Sequence, residues 1–479
     1  MVGTAHEFHF DDQQMGVILE AVRGSAAEYL GKLEREPVRP PAVEAVVDAL
    51  DGSLPEEGAG AKSTVERLVK LGVAASIRSV GPRFFHFVIG GVTPAALAAD
   101  WWASALDQNA YNRVTSPLAA RLEDLSLAWL KDLCVLPAAW AGVLTTGGTM
   151  ANFVGLAAAR QWWGERHAVD VADGGMAGLP VLRVFASGHA HPSVGKALAM
   201  LGAGRSSLSI VSGDSEDFDL GALRRALRDL RGAPAVIVAS TGAANTGAFD
   251  PLAAVADLAD EHGAWLHVDA AFGIFARATP RSRALTDGIE RAHSVAADAH
   301  KWLNVPHECG FALVHEARWL ATVFSASAAY IGALGDGAHE YGNLGPEMSR
   351  RARSMAVWAT LHAYGRRGYR ELVERCLDLT QYLAARIDAA PDLERVTEPA
   401  LNIVCFRYRP SGRADEGLDD LNRRLSEAVL ADGRVYVGST VHGGGVALRA
   451  VVINWRTTRD DIDLLLGVVR ELGARLAQP

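Results

Sequence analysis

Two stretches decide how this chain folds: WLHVDAAFGIFA (265–276) and SVAADAHKWLNVPHECGFALV (294–314). Trp265–Val268 is a short apolar run suited to a buried strand, and Asp269 closes it ahead of small residues. Lys301 follows His300 directly and precedes a second strand-like run, Gly310–His315. The pattern sets one carboxylate and one amine at the ends of two buried strands, and open α/β sheets present ligand-binding groups at carboxyl strand ends. A lysine in an apolar segment beside an imidazole suits Schiff-base chemistry, because desolvation favours the neutral nucleophile. Only six of the 47 Lys and Arg residues are lysines, so one placed here stands out. Spacing alone leaves two blander readings open: Asp269 as the cap of a following helix or turn, and Lys301 as a surface residue at a strand entrance.

A loop far upstream, GVLTTGGTMANFVGLAAAR (142–160), adds a third element. Gly142–Thr146 reads as a strand, Gly147–Gly148 as a tight turn, and Thr149 as the cap of a helix. Such a turn aims free backbone N–H groups and a helix N-terminus at one point, which suits a phosphate. With a buried acid and a His-Lys pair, it describes a phosphorylated aldehyde held at three points.

TTGGTMAN, HVDAA and DAHKW, in that order, resemble the pyridoxal-phosphate-dependent group II decarboxylases, the family of aromatic-amino-acid, glutamate and histidine decarboxylases. The similarity runs from about Pro82 to Thr458. It implies an α/β protein of fold type I (aminotransferase-like), with a mainly parallel sheet in the large domain and a small C-terminal α+β domain. It implies pyridoxal 5'-phosphate as cofactor, with Gly147, Gly148 and Thr149 anchoring the phosphate. Asp269 would meet the ring nitrogen, Ala271 and His300 would line the cofactor, and Lys301 would hold the aldehyde as a Schiff base. His191, in ASGHAHPSV (186–194), matches the family histidine that stacks on the ring; metal ligation by the His189–His191 pair is the rival reading and has no third ligand cluster beside it. Counting back from SRRAR, Tyr341 matches the loop tyrosine that protonates the carbanion, with Tyr330 as the alternative. The implied reaction is decarboxylation of an L-amino acid to an amine and CO₂ by a carboxy-lyase active as a homodimer, and the aromatic-rich 82–102 segment points to an aromatic or apolar side chain on the substrate.

The chain also departs from the family pattern. Ala243 and Ala244 stand where two threonines are usual, His307 where a tyrosine is common, and His86 where a small residue is expected. These departures keep alternative outcomes on the same cofactor open: oxidative deamination to an aldehyde, transamination or retro-aldol cleavage. A non-catalytic scaffold is argued against by the intact Lys301, Asp269 and glycine turn. A nucleotide-binding protein would need the P-loop lysine or dinucleotide glycine pattern, and neither is present.

Bulk properties agree with an enzyme of the cytoplasm. Net charge is −9, with no basic footprint for nucleic acid or anionic membrane. The four cysteines (134, 309, 376, 405) are scattered and read as reduced thiols, and no window suggests a signal peptide or membrane span.

In chain order, 1–65 reads as a helical arm and linker, 66–345 as the cofactor domain, and 346–479 as the small domain. The arm carries helical patterns over 13–35 and 41–51 and a polar linker over 51–63, and it is expected to pack on a partner subunit. In the 82–102 segment, Phe84, Phe85, His86 and Trp102 are candidate substrate contacts, though core positions suit most of them. Residues 321–349 read as a loop over the site. Arg449, in LRAVVINWRTT (448–458), is a candidate for a substrate carboxylate, with a surface ion pair as the alternative.

Overall fold

In the computed structural model, which describes residues 4–213, 216–326, 340–411 and 416–478, the two key stretches lie side by side in one seven-stranded sheet. Its strands are β1 (Ala141–Thr145), β2 (Arg183–Ala186), β3 (Leu208–Ile210), β4 (Ala235–Ser240), β5 (Trp265–Asp269), β6 (Ser294–Asp298) and β7 (Gly310–Val314). They stand in the order β1-β7-β6-β5-β4-β2-β3. Pairing is parallel from β6 across to β3, while β7 runs antiparallel to both β6 and β1. The reason is length. The link from β6 to β7 holds one short helical turn (Ala299–Trp302), too little for a crossover, so the chain returns antiparallel. Helices Pro192–Met200, Leu220–Asp229 and Leu252–His262 provide the longer returns. Strands β4 to β7 are buried along their whole length, as their Val, Ile, Leu and Ala content requires.

The small C-terminal sheet is antiparallel. It comprises β8 (Leu393–Arg395), β9 (Ile403–Tyr408), β10 (Gly438–His442) and β11 (Gly445–Val451), in the order β10-β11-β9-β8. The sequence reading found β9 and β11 but not the hairpin partner β10. Its signal was Gly443–Gly444, both left-handed (φ 56° and 80°), which is what a two-residue hairpin turn needs. The segment Arg83–Phe85, far upstream, bonds to this small domain: Phe85 N donates to Tyr436 O at 2.8 Å, and Val451 N donates to Phe85 O at 3.1 Å. That contact brings residues 86–88 to the face of the large sheet that carries Asp269 and Lys301.

Local differences have local causes. The helix after β1 runs Gly148–Glu165, and its cap position is Gly147, so Thr149 lies inside the first turn rather than capping it. The helix Pro117–Leu133 has no side-chain cap from Ser116, whose hydroxyl donates to Asn109 O at 2.6 Å. Leu118, in its first turn, is exposed. The helix Ser354–Asp388 is interrupted at Gly365, where φ is 60°. The N-terminal arm forms helices Thr4–Gly31, Val43–Asp48 and Ala61–Ala75, the last beginning inside the stretch read as a linker. Among the described residues no helix is long and apolar enough to cross a membrane.

Candidate active site

The carboxyl ends of β4, β5 and β6, the turn after β1, and the small sheet enclose a cavity of about 620 Å³. Asp269 ends β5 and is buried. Its Oδ2 accepts from Asn152 Nδ2 at 2.9 Å and its Oδ1 from Ala271 N at 3.2 Å. Asn152 Oδ1 in turn lies 2.8 Å from His267 Nε2, and His267 Nδ1 lies 2.8 Å from Ser294 Oγ. Trp265 Nε1 donates to the same Ser294 oxygen at 2.9 Å. One proton arrangement satisfies the chain: His267 donates through Nε2 and accepts through Nδ1, which makes it neutral. Burial agrees, pushing His267 down to about 3. A Cβ on Gly155 would lie 2.6 Å from the His267 ring, so the helix can approach β5 only because that position is glycine. Asp269 is thus held by a fully partnered buried network.

Lys301 sits one helical turn beyond the end of β6. Its Nζ lies 2.8 Å from Asp298 Oδ2, and Asp298 Oδ1 accepts from Gly148 N. One carboxylate therefore ties the lysine to the start of the glycine-turn helix. Gly147 is left-handed (φ 148°), and a Cβ on Gly148 would stand 2.7 Å from Asp298 Oδ2. A side chain at Gly148 would displace Asp298, and the backbone of Gly147 favours glycine. The amides that follow at the helix start have no intrahelical acceptor and face an anion-binding geometry.

His300 lines the cavity beside Gly147, stacked on His307 with ring centroids 4.2 Å apart at 28°. Burial pushes His300 down to about 4, against the pull of Asp298. His191 caps the next helix, its Nδ1 2.7 Å from Ser193 Oγ. Its neighbour His189 engages different groups, with Nε2 2.7 Å from Asp217 Oδ1.

The opposite wall belongs to the small domain and the 86–88 segment. Arg449 is buried, and its Nε donates to Asn245 O at 2.9 Å. Among the described residues no carboxylate is in ion-pair reach of it. Burial pushes the guanidinium down to about 10. His86 lines this wall with its Nδ1 buried and without a hydrogen-bond partner among the described residues, and Ala244 lines it with a methyl group.

The structure brings Gly147, Gly148, Thr149, His191, Asp269, Ala271, His300 and Lys301 to one cavity, together with His86, Ala244 and Arg449. It does not bring Tyr341 there. That side chain is buried with its hydroxyl donating to Asp124 Oδ1 at 2.7 Å, and Arg350 lies 5.4 Å from its ring centre. Burial, with Glu123 and Asp124 close by, raises its phenol. Tyr330 lies outside the described residues. Phe84 stacks on Tyr436, Phe85 is core, and Trp102 is exposed away from the cavity. The sequence reading missed Asn152, Asp298 and Ser294 as individual positions. The first two lay inside the quoted motifs and Ser294 opened one of the two key stretches.

This donor set fits pyridoxal phosphate: a glycine cradle closed to a Cβ at Gly148, a partnered buried carboxylate, and a primary amine share one cavity. Comparison with known proteins agrees. Residues 49–409 match the pyridoxal-dependent decarboxylase conserved domain. The chain is 32% identical over 415 residues to an acidic amino acid decarboxylase of Mus musculus, covering 83% of this chain and 74% of that protein. It is 28% identical over 437 residues to an aromatic-L-amino-acid decarboxylase of Bacillus atrophaeus, covering 89% and 88%. The crystal structure of Oryza sativa TDC with PLP and tryptamine superposes with a TM-score of 0.88 at 25% identity, covering 97% of this chain and 99% of that one. The chain belongs to the pyridoxal-dependent decarboxylase family. Its cofactor is pyridoxal phosphate, and it is an amino-acid carboxy-lyase.

Proposed function

We propose that this chain converts an L-amino acid to its amine and CO₂ with Lys301, Asp269 and Arg449 as the principal groups. The observation that carries the reading is the Lys301–Asp298 pair at 2.8 Å, beside the glycine turn and across from the partnered Asp269. Pyridoxal phosphate supplies an aldehyde for the substrate amine and a ring that accepts the electron pair left when CO₂ departs. Lys301 is the amine that would hold the cofactor. Gly147, Gly148 and Thr149 would take the phosphate, with His300 at its side. Asp269, which accepts hydrogen bonds from Asn152 and Ala271, would favour a proton on the ring nitrogen. His191 and Ala271 would bracket the ring. Arg449, a buried cation with no carboxylate in ion-pair reach among the described residues, would take the substrate's α-carboxylate and orient the bond that breaks.

The reaction is proposed to run in a cytoplasmic homodimer, to which the exposed Val17, Leu19, Leu68 and Val73 of the N-terminal arm would contribute packing surface. Decarboxylation coupled to oxidation, giving an aldehyde, is the second reading. It is favoured by the methyl group of Ala244 on the cavity wall and by the position of Tyr341 outside the cavity.

The test is incubation of holoenzyme with the L-amino acids while CO₂, amine, aldehyde and peroxide are followed together. Amine equal to CO₂ is expected; aldehyde with peroxide would replace the first reading by the second. Lys301→Ala is expected to lose both turnover and the visible absorbance of lysine-bound cofactor, and a variant still yellow after dialysis would remove Lys301 from its role.

A further inference from the structure

We propose that His86, seated on Gly438, makes this site selective for amino acids with an uncharged aromatic side chain. The inference rests on the reading of Arg449 as the holder of the α-carboxylate.

Backbone pairing fixes the position of His86. Phe85 is bonded on one side to Tyr436 and on the other to Val451, so the next residue falls against the end of the β10–β11 hairpin. There the imidazole packs directly on Gly438, where any Cβ would overlap the ring. Gly438 is the cross-strand partner of Arg449, which puts the imidazole and the guanidinium on the same wall. The chain then runs through two consecutive non-glycine residues in the left-handed region, Phe87 (φ 53°) and Val88 (φ 61°). Such conformations cost energy and persist where their surroundings over-determine them. Their result is a continuous apolar shelf on the cavity wall: the His86 and Phe87 ring centroids are 3.7 Å apart at 44°, with Val88 beside them.

The charges of the cavity decide what this shelf accepts. Among the described residues its lysine and arginine side chains are those of Lys301 and Arg449, and its carboxylates are Asp269 and Asp298. Both carboxylates already accept protein hydrogen bonds. With Lys301 committed to the cofactor and Arg449 to the α-carboxylate, an anionic side chain finds no free cation. A cationic side chain finds no free carboxylate and meets Arg449. His86 does not supply the missing charge: burial, then Arg449, pushes it down to about 4. A charge brought here unpaired carries its full desolvation cost, whereas an aromatic ring gains contact with His86, Phe87 and Val88.

The experiment measures kcat/KM of the holoenzyme by CO₂ release for L-phenylalanine, L-tyrosine, L-tryptophan, L-glutamate, L-cysteine sulfinate and L-2,4-diaminobutyrate. The best aromatic substrate is expected to exceed every charged one by about 100-fold or more. Gly438→Ala, by displacing the imidazole, is expected to raise KM for that substrate about 10-fold with the cofactor absorbance unchanged. His86→Ala is expected to narrow the aromatic-to-acidic ratio. The double variant should match His86→Ala alone, because the added methyl then meets no ring. A charged amino acid as best substrate, an unchanged ratio in His86→Ala, or additive losses in the double variant would each overturn the proposal. Arg449→Gln separates the two readings. A KM raised for every amino acid alike supports its carboxylate role, an unchanged KM defeats that role, and a loss confined to acidic side chains defeats the selectivity argument.

Discussion

The two walls of the cavity are built on opposite terms. On the wall made by the large sheet, Asp269, Asp298, Asn152, His267 and Ser294 form chains in which donors meet acceptors. On the wall made by the small sheet, neither a carboxylate for Arg449 nor a hydrogen-bond partner for His86 Nδ1 is found among the described residues. A satisfied network is rigid and suits a cofactor that stays bound through many turnovers. Unmet polar groups in a buried wall are costly, and the cost is recovered when a ligand supplies the partner. The contrast assigns the first wall to the cofactor and the second to the substrate.

The contrast breaks first at Asp269. Asp269→Ala is expected to lower kcat about 1,000-fold while the protein stays folded. A near-normal rate would show that the network serves stability alone. Next comes the substrate wall: Arg449→Gln is expected to raise KM about 30-fold or more with a smaller change in kcat, since a buried charge-assisted contact is lost. If kcat falls instead and KM holds, Arg449 belongs with the cofactor wall and the division fails.

The pH dependence of stability sharpens the picture of the satisfied wall. His267, at about 3, and His300, at about 4, stay neutral in the fold, while unfolded histidines take up protons near 6.5. The unfolded state therefore binds more protons as pH falls below 6.5, and stability declines by up to about 1.4 kcal/mol per pH unit for each histidine. Burial raises Asp250, which keeps a proton in the fold that the unfolded chain gives up and so opposes part of the loss. Thermal melting temperatures at pH 7.5 and 5.0 check this. A melting point that rises on acidification would mean His267 and His300 are charged in the fold.

The smallest effect is expected at Tyr341, which belongs to neither wall. Tyr341→Phe removes one hydrogen bond to Asp124, worth about 1 kcal/mol, and should leave kcat within about threefold. A large fall in kcat, or a shift from amine to aldehyde, would return the tyrosine to the chemistry.

Much of the site was legible because short-range pattern and chemistry coincide there. Asp269 closes an apolar strand, Lys301 follows His300 one turn past another, and a Gly-Gly turn precedes a helix; each signal lies within a few residues. Tyr341 was misjudged for the opposite reason. Counting along a loop fixes a register but not a destination, and the turn at Tyr341–Asn343 is set by distant groups: Gly342 N donates to Tyr111 O at 3.0 Å. The cap expected at Thr149 failed in a similar way: the cap position falls at Gly147, with Thr149 inside the first turn.

The sequence by itself determined the buried strands, the cofactor class and most of the groups that the large sheet brings to the cavity. Those follow from alternation, glycine placement and the chemistry of single residues, all of which are local. What only the tertiary structure decided is the substrate wall. His86, Gly438 and Arg449 come from segments far apart in the chain and meet because Phe85 bonds between Tyr436 and Val451. No local pattern encodes such a meeting. It exists only once the small sheet has closed, which is where the physical difference between holding a cofactor and choosing a substrate arises.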